Sequence, residues 1–427
     1  MSQTFFRQPR SLRGGTGTRP AGCPWRSSDP VPAPSAPFGA LVEAISTEDM
    51  LDDEADDEAE PSHYLGISGT ELVASYNWLD EDRPKIIIPG KPPLWTPPET
   101  PSPLQQDAGV YYRDRNAACY PEHPMEPAVV SVMKMRHAPC PVDVFACGST
   151  LGNLLRFSWG SRQSFRMLLE MVGGTVHLIR REESPRALIP DVRGYGYSFP
   201  EAYTTWEPEV RNSLSHQRII RYAFGELYLM VRFEADGYIG SGRAPPLSCG
   251  DTDVLEHFEQ WHVGERPRAQ ASASWGVLSA ADAGAAVPQD CIFELKTRSV
   301  KKQGDEDTLG KQMPRLWVSQ VPTFILAFHE RGLFTDVRVT DAREKVRDWE
   351  AANQAALGRF LGLLKRIIGT AQSHRGDELE IVRQEGGSLE IRKRAPGAGG
   401  LFSGPVRGRW AAWLGEDGED GEEEAAA

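Results

Sequence analysis

The pattern of apolar and polar positions divides the chain into short segments of two kinds. Phe165–Val172 and Thr175–Ile179 read as two strands joined by a tight turn at Gly173-Gly174. Further strands are predicted at Lys85–Pro89, Ile219–Tyr222, Leu227–Glu234, Cys291–Lys296, Thr323–Phe328 and Phe334–Val339. Leu379–Val382 and Leu389–Arg392 read as a hairpin closed by Arg-Gln-Glu-Gly-Gly-Ser. Helical spacing predicts helices over Pro127–Met135, around Leu309–Gln320, and over Ala342–Ile368. In the last of these, Val346, Trp349, Leu357, Phe360, Leu361, Leu364 and Ile368 share one face. Strands interleaved with helices predict an α/β fold, a mixed sheet flanked by helices.

The organised pattern covers residues 63–396, a single domain with an insert at 240–288 that is rich in Gly, Ala, Ser and Pro and expected as a loop. Residues 1–62, basic and then acidic, and residues 397–427, increasingly acidic, are expected as disordered tails. Composition, with 40% hydrophobic and 25% charged residues, suits a globular chain. No apolar run approaches the roughly 18 residues of a membrane span, so no membrane partner is expected.

The net charge of −13 is concentrated in two runs, nine acids from Glu48 to Glu60 and seven from Glu416 to Glu424. Setting those aside leaves +3, and setting aside the five arginines of residues 1–28 leaves −2. A near-neutral body must hold any polyanion through local basic patches. The six cysteines show no CxxC pair and no zinc-type spacing with histidine, so thiols in a reducing compartment are expected. No secretory leader pattern is present, and an intracellular location, nuclear or cytoplasmic, is expected. The acid-free, Arg-rich start also suits a mitochondrial transit peptide in charge, although Gly14-Gly15 and the prolines break any amphipathic helix.

Two acidic motifs carry the candidate chemistry. Arg232-Phe233-Glu234-Ala235-Asp236-Gly237 and Ile292-Phe293-Glu294-Leu295-Lys296-Thr297 both end predicted strands. In each, one apolar residue separates two charged ones, so period-2 alternation puts Glu234 with Asp236, and Glu294 with Lys296, on one face. Charged pairs at the end of a buried strand are costly unless an ion satisfies them. Carboxylates from two such strands suit Mg²⁺ or Mn²⁺, hard ions that prefer oxygen donors. With a lysine beside them they suit phosphodiester hydrolysis. Arg298, Lys301 and Lys302 follow directly, where a backbone phosphate can lie.

These segments resemble the DXO-type decapping exoribonucleases of the PD-(D/E)XK nuclease superfamily. Glu234-Ala235-Asp236 matches that family's E-Φ-D motif and Glu294-Leu295-Lys296 its E-Φ-K motif. Gly196-Tyr197-Ser198-Phe199-Pro200-Glu201 is similar to its glycine-aromatic motif ending in glutamate. Gly174–Leu178 followed by Glu182-Glu183-Ser184-Pro185 resembles the strand before that motif. Trp317, Gln320, Val321-Pro322 and the strand from Phe324 resemble the elements after its lysine.

The resemblance, over about residues 140–340, implies a PD-(D/E)XK-like fold and a metal site of Glu201, Glu234, Asp236 and Glu294, with Lys296 near the nucleophilic water. It implies RNA as the preferred substrate and action at the 5′ end. The family's arginine for the scissile phosphate falls on Cys147 in direct alignment, and Arg156 is an alternative from another position. Arg156, Arg298, Lys301, Lys302 and Gln320 are the expected substrate contacts. Two other readings stay open: a non-catalytic nucleic-acid- or protein-binding member of the same fold, and a DNA nuclease.

Other features have blander readings. Asp52–Asp56 fits a magnesium–diphosphate motif but lies in an acidic run with no partner motif. His216 is expected as a polar cap rather than a base. Arg218, Arg221 and Arg232 fit either surface charges or a phosphate track. Trp95, Tyr111 and Tyr112 are expected in packing rather than base stacking.

Overall fold

The computed structural model describes residues 38–47, 49, 64–240, 273–275, 277–304, 307–395 and 399–415. Most of both expected tails, the Asp52–Asp56 run and residues 241–272 of the insert lie outside the described residues. The expected α/β architecture is present: two mixed sheets with helices packed against them. No described helix is long and apolar enough to cross a membrane.

Among the described residues the larger sheet has twelve strands. Its centre is built from Val144–Cys147, Leu227–Ala235, Ser213–Phe224 and Ile67–Leu79, in that spatial order. Leu227–Ala235 runs parallel to Val144–Cys147 and antiparallel to Ser213–Phe224, with Arg232 opposite Cys147 and Ala235 opposite His216. Alternation decides which core each residue enters. Val231, Ile220 and Leu178 face one hydrophobic cluster, while their neighbours Met230, Ile219 and Ile179 face the other. Both faces are covered, so these strands read as nearly continuous apolar runs.

On the first face lie the helices Gly148–Ser158, Met313–Ser319 and Gln354–Ser373, and on the second Glu126–Met135 and Gly404–Trp413. The smaller sheet has six strands, including Ile292–Ser299 parallel to Thr323–Glu330, and a Gly237–Tyr238 segment antiparallel to Ile292–Ser299. The chain therefore passes from one sheet to the other at Asp236, between the pairs Ala235–His216 and Gly237–Phe293. That joint positions the site.

Several expectations change. Leu41–Ile45, placed in the N-terminal tail by its surroundings, is an edge strand antiparallel to Leu389–Lys393. Gly404–Trp413, placed in the C-terminal tail, is a helix whose Trp410 is fully buried, stacks on Trp413 at 4.8 Å and donates to His177 Nε2 at 2.8 Å. Within the insert, Leu278–Gly284 is a strand parallel to Lys85–Gly90, where its small alternate side chains let the backbones pair.

The single helix expected over 342–368 is two, Arg343–Ala352 and Gln354–Ser373. They break at Asn353, whose side chain donates to Trp349 O at 2.6 Å. His216 caps nothing: it is buried in a strand with Nδ1 2.5 Å from Asn77 Oδ1, and burial holds it well below its usual range and neutral. Arg218 and Arg232 are buried and are not surface charges. Cys140 and Cys147 are free thiols, whereas Cys119 is disulfide-bonded, a departure from six thiols.

Candidate active site

Asp236 sits at the joint between the sheets, and Glu294 lies on the strand that Gly237 pairs with. The joint turns the Asp236 carboxylate toward that strand, where Oδ2 accepts from Leu295 N at 2.7 Å. Glu294 is 3% exposed; its Oε1 pairs with Lys296 Nζ and with Arg315 Nε, the latter at 2.9 Å. Burial pushes the Asp236 carboxyl up to about 6, and the Glu294 charge adds to this against the pull of Lys296 and Arg315. Burial also opposes ionisation of Glu294, but Arg315 and Lys296 outweigh it and hold that carboxyl below its usual range. Arg315 is raised in turn, chiefly by Glu294. Two buried carboxylates thus share one neighbourhood, one ionised and one poised near neutrality.

Glu234, two residues before Asp236, is partly exposed. Its Oε1 accepts from Arg115 Nη1 at 3.1 Å and its Oε2 from Gln217 Nε2 at 3.3 Å. Glu201 is on the short helix Ser198–Tyr203, which Asp107 docks by accepting from Tyr197 N at 3.1 Å and Ser198 N at 2.9 Å. Desolvation, then the Asp107 charge, raises the Glu201 carboxyl while Arg115 lowers it. Arg115 therefore acts on both Glu201 and Glu234, from the helix Arg115–Cys119.

A cleft of about 410 Å³ is lined by Glu234, Asp236 and six arginines, Arg113, Arg115, Arg156, Arg180, Arg232 and Arg315, while Glu201, Glu294 and Lys296 lie outside its wall. Arg156, on the helix Gly148–Ser158, bonds Asn153 Oδ1 at 2.7 Å, and burial, then Arg180, lowers its pKa. A larger trough of about 1020 Å³ adjoins the cleft and shares Arg113, Ser149, Arg156 and Arg180 with it.

The structure brings Asp236, Glu294 and Lys296 together, with Glu234 and Arg156 in the cleft wall. Arg298, Lys301, Lys302 and Gln320 do not line the cleft. Arg298 bonds Thr297 O at 2.9 Å, and Lys301 and Lys302 lie on an exposed turn. Gln320, left-handed at φ 49°, ends the helix Met313–Ser319 and lines a separate, mainly apolar cavity. The residue chemistry missed from sequence is Arg113, Arg115, Arg180 and Arg315. Arg315 lies on a predicted helix, but nothing in its spacing marked it as facing Glu294. Arg232 was visible as the residue two before Glu234, hence on its face.

The donor set fits a divalent cation in chemistry: two buried, hard carboxylates, Asp236 and Glu294, side by side. Among the described residues no three acidic, His or Cys groups converge, so the remaining positions of such an ion would fall to water and substrate oxygens. Trp95 and Tyr111 are packing residues. Trp95 meets Phe293 at 5.5 Å between ring centroids, and Tyr111 stacks on Tyr197 at 3.6 Å.

Comparison with known proteins follows from this geometry. A family model described as "Domain of unknown function (DUF8563)" matches residues 59–386. No curated protein sequence matches the chain. Among solved structures, Schizosaccharomyces pombe Rai1 is 13% identical with a TM-score of 0.51, over 83% of this chain and 99% of that one. Candida albicans Rai1 in complex with pU5-Mn²⁺ is 12% identical with a TM-score of 0.53, over 90% and 99%. Scheffersomyces stipitis Rai1 is 11% identical with a TM-score of 0.52, over 91% and 100%. At such identities the shared property is the fold, and at that level the expected DXO-type resemblance holds. The chain belongs to the DUF8563 family of unknown function, folded as the Rai1 proteins are.

Proposed function

We propose that the chain is a divalent-metal-dependent hydrolase of phosphodiester bonds in RNA, acting at or near the 5′ end. The observation that carries this is the pair of buried carboxylates, Asp236 and Glu294, beside Lys296, with Asp236 in the wall of an arginine-lined cleft. Asp236 and Glu294 would hold the ion, with water and substrate oxygens in its remaining positions, while Glu234 and Glu201 stand apart from that pair. A bound Mg²⁺ or Mn²⁺ supplies a more acidic water as nucleophile and offsets charge gathering on the phosphate. Lys296 would orient that water, and Arg315 would meet the developing charge once phosphate draws it from Glu294. Arg298, Lys301 and Lys302 would meet backbone phosphates outside the cleft. Support for a nucleotide ligand and a divalent ion comes from Candida albicans Rai1, crystallised with pU5-Mn²⁺, and from Scheffersomyces stipitis Rai1, crystallised with (3′-NADP)⁺ and calcium.

A second reading has its own observation. Glu294 and Glu234 are both already paired with arginine, an arrangement that also suits a protein that binds RNA without cutting it. The test uses purified protein with Mn²⁺ and RNAs bearing 5′-phosphate, 5′-triphosphate or capped ends. Hydrolysis is expected from the wild type and its loss from Glu294→Ala. Equal RNA binding by both proteins, with cleavage by neither, would replace the hydrolase reading with the binding one. Single-stranded DNA of the same sequence separates an RNA from a DNA enzyme.

A further inference from the structure

The helix Met313–Ser319 separates two hollows. Arg315 and Ser319, four residues apart, line the arginine cleft, and Leu316 and Gln320, also four apart, line a second cavity behind it. The two hollows share no lining residue. The second measures about 610 Å³, within the range of sites that take small organic ligands, and its wall is mainly apolar.

Spacing and register explain why the space exists. The helix Arg343–Ala352 turns Arg343, Val346, Arg347 and Glu350 toward it, at intervals of three and four. Opposite, the strand Ile67–Leu79 slips in its pairing with Ser213–Phe224 between Ser68 and Glu71, and again between Leu72 and Ala74. Gly69, between the first two, takes a φ of 64°. Bulges of this kind bend a strand out of the regular ladder. Ile67, Leu72, Met135 and Val346 consequently stay half-buried around the hollow.

The polar groups of the wall decide what can enter. Glu350 is met by Tyr64, Ile67 N and Trp317, and Glu71 by Arg136 and Arg221. Gln289 is occupied at both ends: Nε2 donates to Ser319 O at 3.1 Å and Gln320 O at 3.0 Å, and Oε1 accepts from Arg218 Nε at 3.0 Å. Arg343 is shared between Asp341 and Asp290. Among the described residues Arg347, exposed at the rim, is the one charged group of this wall with no ion-pair or hydrogen-bond partner. An apolar interior with one unmatched cation at its edge selects a ligand with an apolar body and a single negative group.

We propose that this cavity is an effector site for a small amphiphilic anion, its apolar body inside and its carboxylate, sulfonate or phosphate at Arg347. The ligand site is independent of the proposed hydrolase function, whereas its effect on the metal site rests on that reading. An occupant pressed against Leu316 and Gln320 bears on the helix that carries Arg315. Arg315 Nε, 2.9 Å from Glu294 Oε1, is the group with which a divalent ion contends for that carboxylate. Occupancy therefore changes the affinity for the ion, and the ion changes the affinity for the ligand by the same factor.

The probes are 8-anilinonaphthalene-1-sulfonate and N-phenyl-1-naphthylamine, the same skeleton without its sulfonate, each titrated by fluorescence into the full chain. One saturable site is expected for both. Arg347→Gln should weaken the sulfonate roughly fivefold and leave the neutral amine unchanged. Thr70→Trp, which puts an indole into the hollow from its exposed rim, should remove both. Arg162→Gln, in the arginine-rich trough beside the cleft, should alter neither. Weakening by Arg162→Gln in place of Arg347→Gln moves the anion to the trough and overturns the proposal. Equal effects of Arg347→Gln on the two dyes overturn the anionic head. Absence of saturable binding overturns the ligand altogether, and a dimer in sedimentation would then assign the cavity to a second copy.

Hydrogen exchange on the wild type replaces the tryptophan variant if that variant does not fold. The sulfonate should slow exchange in the helix Met313–Ser319, and unchanged exchange there overturns the site. Mn²⁺ affinity, read from the electron paramagnetic resonance of the free ion, should shift about fivefold or more at saturating sulfonate. No shift overturns the effector role and leaves a ligand site. Protein that binds the dyes but no Mn²⁺ overturns the metal reading instead.

Discussion

Replacing Asp236 with asparagine removes one negative charge from a buried pair while keeping an oxygen to accept from Leu295 N. In the metal-free protein the Asp236 carboxyl is raised from 3.8 to about 6, first by burial and then by Glu294. Because the folded value exceeds the unfolded one, the folded state holds the proton more tightly. Stability from that proton is complete below about 3.8 and is lost as pH rises through about 6. The ionised group therefore costs roughly 1–2 kcal/mol at pH 5 and roughly 3 kcal/mol at pH 8.

The amide of the variant does not ionise and carries no such cost. Asp236→Asn should therefore be more stable than wild type in EDTA, by an amount that grows by roughly 1–2 kcal/mol between pH 5 and pH 8. Urea denaturation of both proteins across that range gives the difference directly. Millimolar Mn²⁺ should then stabilise wild type more than the variant, because only wild type offers both carboxylates to the ion. A stability gain that is flat with pH, or a variant less stable than wild type at pH 8, would refute the claim that Asp236 and Glu294 strain against each other. The same substitution should abolish hydrolysis, the expected trade of stability against function.

Other outcomes follow from packing. In Gly237→Ala the new Cβ would collide with the Phe293 ring and stand 2.7 Å from Pro93 O. A loss of about 1–3 kcal/mol is expected, with lower activity because the joint carries Asp236; unchanged melting would show that the two sheets give way there. Trp410→Ala should cost about 3–5 kcal/mol in urea denaturation, and a loss below about 1 kcal/mol would mean the C-terminal helix does not belong to the core. Glu350 accepts from Tyr64 OH at 2.9 Å, Ile67 N at 3.1 Å and Trp317 Nε1 at 2.6 Å. Glu350→Ala should lower stability by about 1–3 kcal/mol per orphaned buried donor, and Glu350→Gln, which keeps an acceptor, by less.

The strands flanking the site were legible because their alternation is strong. Leu227–Glu234, Cys291–Lys296 and Thr323–Phe328 coincide with observed strands to within three residues at either end, and the Glu-Φ-Asp and Glu-Φ-Lys spacings told which residues share a face. What period-2 reasoning could not supply was the sheet change at Asp236. Pairing of Gly237 with Phe293 is a long-range fact, and it decides where the carboxylate points. Leu41–Ile45 and Gly404–Trp413 were hidden because tail-like composition surrounds them, and tertiary pairing overrides composition. The basic residues show the same limit. Arg298, Lys301 and Lys302 are close in sequence to Lys296 yet outside the cleft, whereas the arginines that line it come from segments as far apart as Arg113 and Arg315.

Among the described residues the strand Leu41–Ile45 pairs with Leu389–Lys393 and with no earlier strand. During synthesis the first of these would emerge from the ribosome long before its partner exists, and would wait unpaired for more than 340 intervening residues. At about 5–20 residues per second that wait is on the order of tens of seconds, with a sheet edge exposed throughout. Closing that edge is thus confined to the end of translation, and a nascent chain arrested before residue 389 should capture chaperones that the finished protein does not.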